Sequence, residues 1–165
     1  MNDQPHSAKS PEELRDRAWE LAKSIGIGML VTSGGGRSRA RPMGATVKPE
    51  EHAIYLLTDS DEIVRELDQP RVLLTFADNG GNKYVSISGR AAAERNPAKA
   101  AELWSVMAKA WWNSPDDPSI RVVTITPDEA ELWDSPGKFV AAVKMLTAAA
   151  TGSRPSLGDT AKVKI

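Results

Sequence analysis

Apolar positions along this chain follow two different rhythms, and the change from one to the other marks out its elements. Leu14, Ala18, Leu21, Ala22 and Ile25 recur at three-and-four spacing with Trp19 beside them, which predicts a helix ending near Ile25. Its start is marked by Ser10-Pro11-Glu12-Glu13. This is a capping box with serine at the cap, proline in the first turn and Glu13 reaching back. From there short apolar or alternating runs take over. Residues 27–33 read as a buried strand, and Gly34-Gly35-Gly36 as a hairpin turn. A returning strand carries Arg37, Arg39 and Arg41 and runs on through Val47. After a turn at 48–52 come strands over 53–58, 71–76 and 84–89, the last extending towards Ala93. A short helix over 61–67, capped by Asp59 or Ser60, lies between the first two of these.

The second half is read the same way. Asn96-Pro97 opens a long helix with Leu103, Val106, Met107 and Ala110 on its inner face, broken by Ser114-Pro115-Asp116-Asp117-Pro118. Residues 120–126 form a sixth strand, 130–133 a seventh, and 137–150 a helix. The domain spans residues 10–151, between a disordered tail at 1–9 and a polar C-terminal tail at 152–165. Six or seven short strands with glycine turns and few helices predict a mainly β, antiparallel barrel with helices outside it. The regular βαβ rhythm is missing, and Gly26-Ile27-Gly28 precedes a strand where a dinucleotide fingerprint needs a helix.

Composition removes several function classes. Of 165 residues, 21 are lysine or arginine and 22 aspartate or glutamate, giving a formal net charge of -1, which argues against a nucleic-acid binder. There is no cysteine for a disulfide, a thiolate nucleophile or a sulfur-ligated metal. The most apolar tract, 139–150, is interrupted by Lys144 and is too short to span a membrane, so the expectation is a soluble cytoplasmic protein. The histidines, His6 and His52, fall in a terminus and a turn, which leaves a hydrolytic triad or a zinc site without its parts. The chemistry is expected to come from a borrowed cofactor, with no catalytic side chain and no metal.

Two constellations remain. Alternate arginines share one face of a strand, and a guanidinium fork suits phosphate oxygens, so Arg37, Arg39 and Arg41 either meet solvent or await an anion. Arg41 sits nearest the core, against Pro42-Met43. Trp111 and Trp112, with Trp104 and Trp133, read as core, as a dimer interface or as a stacking wall for a planar ring.

These residues carry a resemblance. Arg41-Pro42-Met43, Tyr55-Leu56-Leu57-Thr58, Val85-Ser86-Ile87-Ser88-Gly89, Trp111-Trp112 ahead of Asp116-Asp117-Pro118, and Glu131-Leu132-Trp133-Asp134 occur in this order. Their order and spacing resemble the pyridoxamine 5′-phosphate oxidase-like, FMN-binding split-barrel family in its general stress protein branch. The resemblance runs from Pro11 to the end of the chain. It implies a homodimer of six-stranded antiparallel split β-barrels with two FMN sites at the subunit interface. Arg41 would face the flavin phosphate, with Arg65 or Arg39 standing in for a lysine that the family uses there, and Pro42, Met43 and Gly44 would run beside the flavin. Leu57 and Thr58 would lie across the site, with Tyr84 and Trp112 facing the cofactor. Trp133 would reach it from the other subunit.

The chain also departs from the family. Where the family places a phosphate-holding lysine after the threonine, the sequence reads Asp59-Ser60-Asp61-Glu62-Ile63-Val64-Arg65. The arginine–histidine substrate signature of the oxidases is missing, since Trp133 is followed by Asp134-Ser135-Pro136. That argues against pyridoxamine phosphate oxidation itself. The expected function is an FMN-binding general-stress-type protein, with flavin-dependent oxidoreductase activity on an unknown small molecule. The alternative is a non-catalytic stress protein that has lost tight FMN binding. FAD or a deazaflavin is a less favoured cofactor than FMN, and haem is disfavoured by the placement of the histidines.

Overall fold

The structure is a computed structural model that describes residues 9–34, 36–67, 71–135, 148–149, 152 and 159–165. It begins with helix α1 (Pro11–Ile25), capped as its sequence predicts: the Ser10 side chain accepts from the Glu13 N–H, and Glu13 accepts from the Ser10 N–H. The strands are β1 (Ile27–Gly34), β2 (Arg37–Lys48), β3 (Ala53–Thr58), β4 (Arg71–Asp78), β5 (Lys83–Glu94), β6 (Arg121–Asp134) and β7 (Asp159–Lys164). Short helices α2 (Asp61–Glu66) and α3 (Pro97–Glu102) lie between β3 and β4 and between β5 and β6.

All neighbouring strands are antiparallel, in the order β3-β2-β1-β4-β5-β6-β7, and a further pairing of β3 with β6 closes the ring. The six-stranded barrel is therefore present, with a seventh strand added to it. β6 holds the assembly together. One edge of it pairs with β5 over nearly its whole length. The other edge pairs with β3 up to Ile125 and then, from Glu129, with β7. This division of one edge between two partners is the split in the barrel.

Inward-facing Leu30, Ile54, Leu56, Leu74, Phe76, Ile87, Val123, Ile125 and Leu132 fill the interior, each fully buried. Ala18, Trp19, Leu21 and Ala22 of α1, and Ile63 of α2, join the same core. A second apolar cluster lies outside the barrel wall, where Tyr55 of β3 packs with Ala100, Leu103, Ile120 and Val122. β3 is thus covered on both faces, which accounts for its unbroken apolar run.

Several expectations need correction. The run at 27–33 is buried on one face only: Gly28, Leu30 and Thr32 point inward, while Ile27 and Met29 are exposed. The long helix from Asn96 ends at Glu102, and Val106, Met107 and Ala110 are exposed rather than on an inner face. The sixth and seventh strands are one continuous strand, because Pro127 sits at a bulge beside Gly89 where the ladder does not need its N–H. The expected polar tail contains β7, whose Val163 is buried against the core. Lys9, assigned to the N-terminal tail, is placed with Nζ 3.7 Å from Asp134. Residues 1–8 and most of the helix expected at 137–150 lie outside the described residues, of which Ala148 and Ala149 are helical.

The β6 bulge explains Gly89. A Cβ there would stand 2.4 Å from the Thr126 carbonyl oxygen and 2.9 Å from Pro127 Cα, both of them backbone atoms. Asp128, the residue left over by the shift in register, is tied to Arg71 at 2.9 Å and accepts from the Ser88 hydroxyl at 3.2 Å. Gly89→Ala is expected to cost about 2 kcal/mol through forced overpacking, read as a lower urea midpoint. An unchanged midpoint would show that the bulge can shift.

Candidate functional site

Two features of the β2–β3 region draw together the residues singled out by the sequence, and they lie on opposite faces of β2. On the outer face is a cavity of about 720 Å³. Its floor is Pro42, Gly44 and Thr46 of β2 with Tyr55, Leu57 and Thr58 of β3. Its rim takes in Ile25, Gly26 and Ile27 where α1 passes into β1, and Asp59 after β3. Leu103, Ser105, Met107, Ala108, Trp111 and Trp112 form the roof.

The roof exists because α3 stops early. Chain segment 103–112 then turns back across the barrel wall, with a single 3-10 turn at Ala108–Ala110. A consecutive tryptophan pair cannot place both rings on one helix face. Here Trp112 packs against the outer cluster and Trp111 stands 76% exposed at the rim. The Trp112 indole N–H donates to Asp59 at 3.2 Å, linking roof to floor. Met107 sulfur lies 3.1 Å from where a Cβ on Gly44 would stand, so a side chain at residue 44 would crowd the roof.

A charged lattice fixes the roof's anchor. Lys48 reaches Glu102 at 2.8 Å and Glu51 at 3.4 Å, while Lys99 reaches Glu102 at 2.7 Å and Glu51 at 3.1 Å. Tyr55 donates its hydroxyl to Glu51 at 2.5 Å, and Lys99 Nζ lies 4.7 Å above the Tyr55 ring, a cation–π distance. Lys48 and then Lys99 lower the Glu102 carboxyl to about 2, and Glu102 and Glu51 push Lys99 upward.

On the inner face of β2 the arginines meet carboxylates. Register places Arg41 opposite the buried Leu30 and Arg39 opposite the buried Thr32, so both point to the interior side. Charges there need partners, and α2 supplies them. Ser60 caps this helix, Ile63 sits in the core, and Glu62 and Glu66, four apart, turn to β2. Arg41 Nη1 donates to Glu66 Oε2 at 2.8 Å and to Thr32 Oγ1 at 3.0 Å. Its Nη2 donates to Glu66 Oε1 and Glu62 Oε2, each at 3.2 Å. Thr32 in turn donates to Glu66 at 2.5 Å, and Arg39 pairs with Glu62. Both terminal nitrogens of the Arg41 guanidinium are thus engaged by protein oxygens.

The residues expected at a flavin site therefore divide. Pro42, Met43, Gly44, Leu57, Thr58 and Trp112 come together at the cavity. Arg39 and Arg41 lie behind it in the carboxylate cluster, and Arg65 is exposed on α2 away from the lining. Tyr84 pairs with Trp133 near the opposite end of β6 from the cavity, whose Thr58 pairs with Arg121. The acidic residues after Thr58 were visible in the sequence. Their pairing with Arg39 and Arg41 was not, because it depends on the angle at which α2 crosses β2. Trp111 was named as part of a possible stacking wall, while the roof residues Ser105, Met107 and Ala108 were missed with the overlong helix.

Arg41, with the Thr32 hydroxyl, holds the Glu66 carboxyl below an ordinary glutamate's 4.5. A folded value below the unfolded one adds stability that is complete above 4.5 and is lost as pH falls through the folded value. Glu66→Gln is expected to flatten the fall in urea midpoint between about pH 5 and pH 3. Equal slopes in the two proteins would remove Glu66 from acid unfolding.

Comparison with known proteins agrees with this architecture. General stress protein 26 of Bacillus subtilis (strain 168) is 22% identical over 129 residues, 75% of this chain and 91% of that protein. A general stress protein 26 structure from Jannaschia sp. CCS1 superposes with a TM-score of 0.76 at 22% identity, covering 94% of this chain and all (100%) of that one. The general stress FMN/FAD binding protein of Xanthomonas citri does so with a TM-score of 0.66 at 28% identity, covering 74% of this chain and 89% of that one. The family profile described as pyridoxamine 5′-phosphate oxidase like matches residues 13–156, and the chain belongs to that family.

Proposed function

We propose that this chain is a flavin-binding stress-type protein whose ring site is the cavity between the β2–β3 wall and segment 103–112. The observation that carries the reading is the convergence of Pro42, Met43, Gly44, Leu57, Thr58 and Trp112 on one apolar cleft of about 720 Å³. That volume and lining suit a flat aromatic ring with a few polar edges. The Xanthomonas citri relative, described as FMN/FAD binding, gives the same direction.

Fit to FMN is unequal across the molecule. The ring half fits: indoles, Met107 and aliphatic side chains bound a slot with hydroxyls of Thr46, Thr58 and Ser105 at its edges. The phosphate half does not, because Arg41 is already paired with Glu66 and Glu62. When bound, a flavin would supply the redox chemistry; this chain's residues hold the ring and screen it from water. A binder without turnover is the second reading, favoured by Tyr55 and Asp59 being the ionisable groups of the lining and both being hydrogen-bonded within the protein.

We infer further that the working form is a homodimer. Among the described residues, Ile27 (50%), Met29 (39%) and Leu73 (36%) form an exposed apolar strip on the outer faces of β1 and β4. Ile27 also lines the cavity, so a second copy covering the strip would close the cavity mouth. The same arrangement gives a role to Trp133, which is too far along β6 to reach its own chain's cavity.

Quenching of added flavin fluorescence at micromolar protein tests the ring site, and unquenched flavin overturns it. Trp111→Ala removes an exposed rim indole and is expected to weaken the complex by about 1 kcal/mol, or roughly fivefold, with an unchanged melting temperature. Turnover is read as NADH or NADPH oxidation above that of free flavin. Met29→Asp is expected to convert a species of twice the chain mass to one of single mass in light scattering, with the circular dichroism retained. A wild-type monomer would overturn the dimer.

A further inference from the structure

We infer that segment 103–112 is a lid over the cavity, latched by the hydrogen bond from the Trp112 indole to Asp59, and that its opening admits and releases the ring ligand. The inference takes the identity of the ligand from the flavin reading above and adds how the site is gated.

The first observation is where the lid is fixed. Leu103 and Ile120 are both buried in the outer cluster with Tyr55, so the chain between them leaves and rejoins the barrel wall at one apolar cluster. The ion pairs of Lys48 and Lys99 with Glu51 and Glu102 pin the departing end. A loop held at its ends can swing by rotation at a few residues there, while its middle moves as one piece.

The second observation is what holds that middle. Among the described residues, the hydrogen bonds of 105–112 are local, with one exception. The Lys109 N–H donates to the Ser105 carbonyl, Ala110 to Met107, and Trp111 and Trp112 both to Ala108. The Ala108 N–H donates to the Ser105 hydroxyl. These bonds travel with the segment and do not resist its opening. The exception is Trp112 Nε1 to Asp59 at 3.2 Å, which joins residues 53 apart. Packing supplies the rest of the hold: Ala108 is buried and the Met107 sulfur rests over Gly44, while Val106 is 85% exposed. A segment that gives up one bond and a few apolar contacts on leaving the wall belongs to the easily opened part of a fold. Asp59 and Trp112 both line the cavity, so the latch closes at the cavity's own edge.

The chain contains no cysteine, so Ala108→Cys places a sole thiol on the buried part of the lid. Its rate of reaction with dithiobis(nitrobenzoate) in the full-length, ligand-free protein reads how often the lid opens. Asp59→Ala removes the acceptor, and Trp112→Phe removes the donor while keeping an aromatic ring. Each is expected to speed labelling about fivefold, the equilibrium weight of one hydrogen bond, with the circular dichroism retained. Combining them is expected to give no further gain, because both remove the same bond. Asp59→Asn keeps an acceptor oxygen and is expected to label at the unmutated rate. Unchanged labelling in both single variants, or a gain that multiplies in the double one, overturns the latch. Stopped-flow mixing with lumiflavin, the ring alone, then tests the gate without the added thiol. Association and dissociation are expected to quicken by a similar factor in Asp59→Ala, so the dissociation constant moves less than either rate. Faster dissociation alone would make Asp59 and Trp112 contacts to the ring and overturns the lid. Lumiflavin that binds to neither protein overturns the flavin reading, and the labelling rates, which need no ligand, still decide the latch.

Discussion

The constraint on which this fold depends is that one strand must satisfy three neighbours. β6 pairs along one edge with β5 and divides its other edge between β3 and β7. Without the β3 contact the sheet would stay open, with two exposed edges and an unfilled interior. With it, each strand acquires an inside and an outside, and the alternation of every strand is set. The bulge at Gly89 is what lets β6 change direction between its two partners. His52, in the turn before β3, sits at the same seam, with Nε2 3.0 Å from the Pro127 carbonyl and its ring edge-on to Trp19.

Closure explains why the two halves of the candidate site are separate. Successive residues of β2 point to opposite sides of a closed wall, so Arg41 and Pro42 cannot serve one ligand pocket equally. Pro42 faces the cavity, while Arg41 turns to the barrel's interior side and requires an internal anion. The cavity's character follows from the same geometry, since the outer face of β2 carries Pro42, Gly44 and Thr46, none of them charged.

How much of this could be read from residues alone varied with how local each cause was. The helix α1 was legible because its cap, first turn and apolar stripe all lie within the helix, and β3 was legible as an unbroken apolar run bounded by turns. The continuity of β6 was not, since a proline inside a run ordinarily ends a strand, and only the partner's register reveals a bulge. Val106, Met107 and Ala110 fit a helical face in spacing, yet the helix ends at Glu102 and tertiary packing turns the chain over the cavity. The cavity-lining Pro42, Met43, Gly44, Leu57 and Thr58 lie in motifs that the sequence itself displays. The neutralised arginines were not, because the motif records the arginine and is silent on what an adjacent helix brings to it.

The meeting of α1 with β7 sets an order in which the molecule can be assembled. Arg15 Nε donates to the Lys164 carbonyl at 3.3 Å, and Val163 shares the core with Ala18 and Leu21. Residues 149 apart in sequence thus complete the burial of α1. Before β7 is added the apolar stripe rests against β2, β4, β5 and β6, and ring closure requires β6 to meet β3. Such sequence-distant closure makes folding slow and late, with the loop entropy spent before the final contacts repay it.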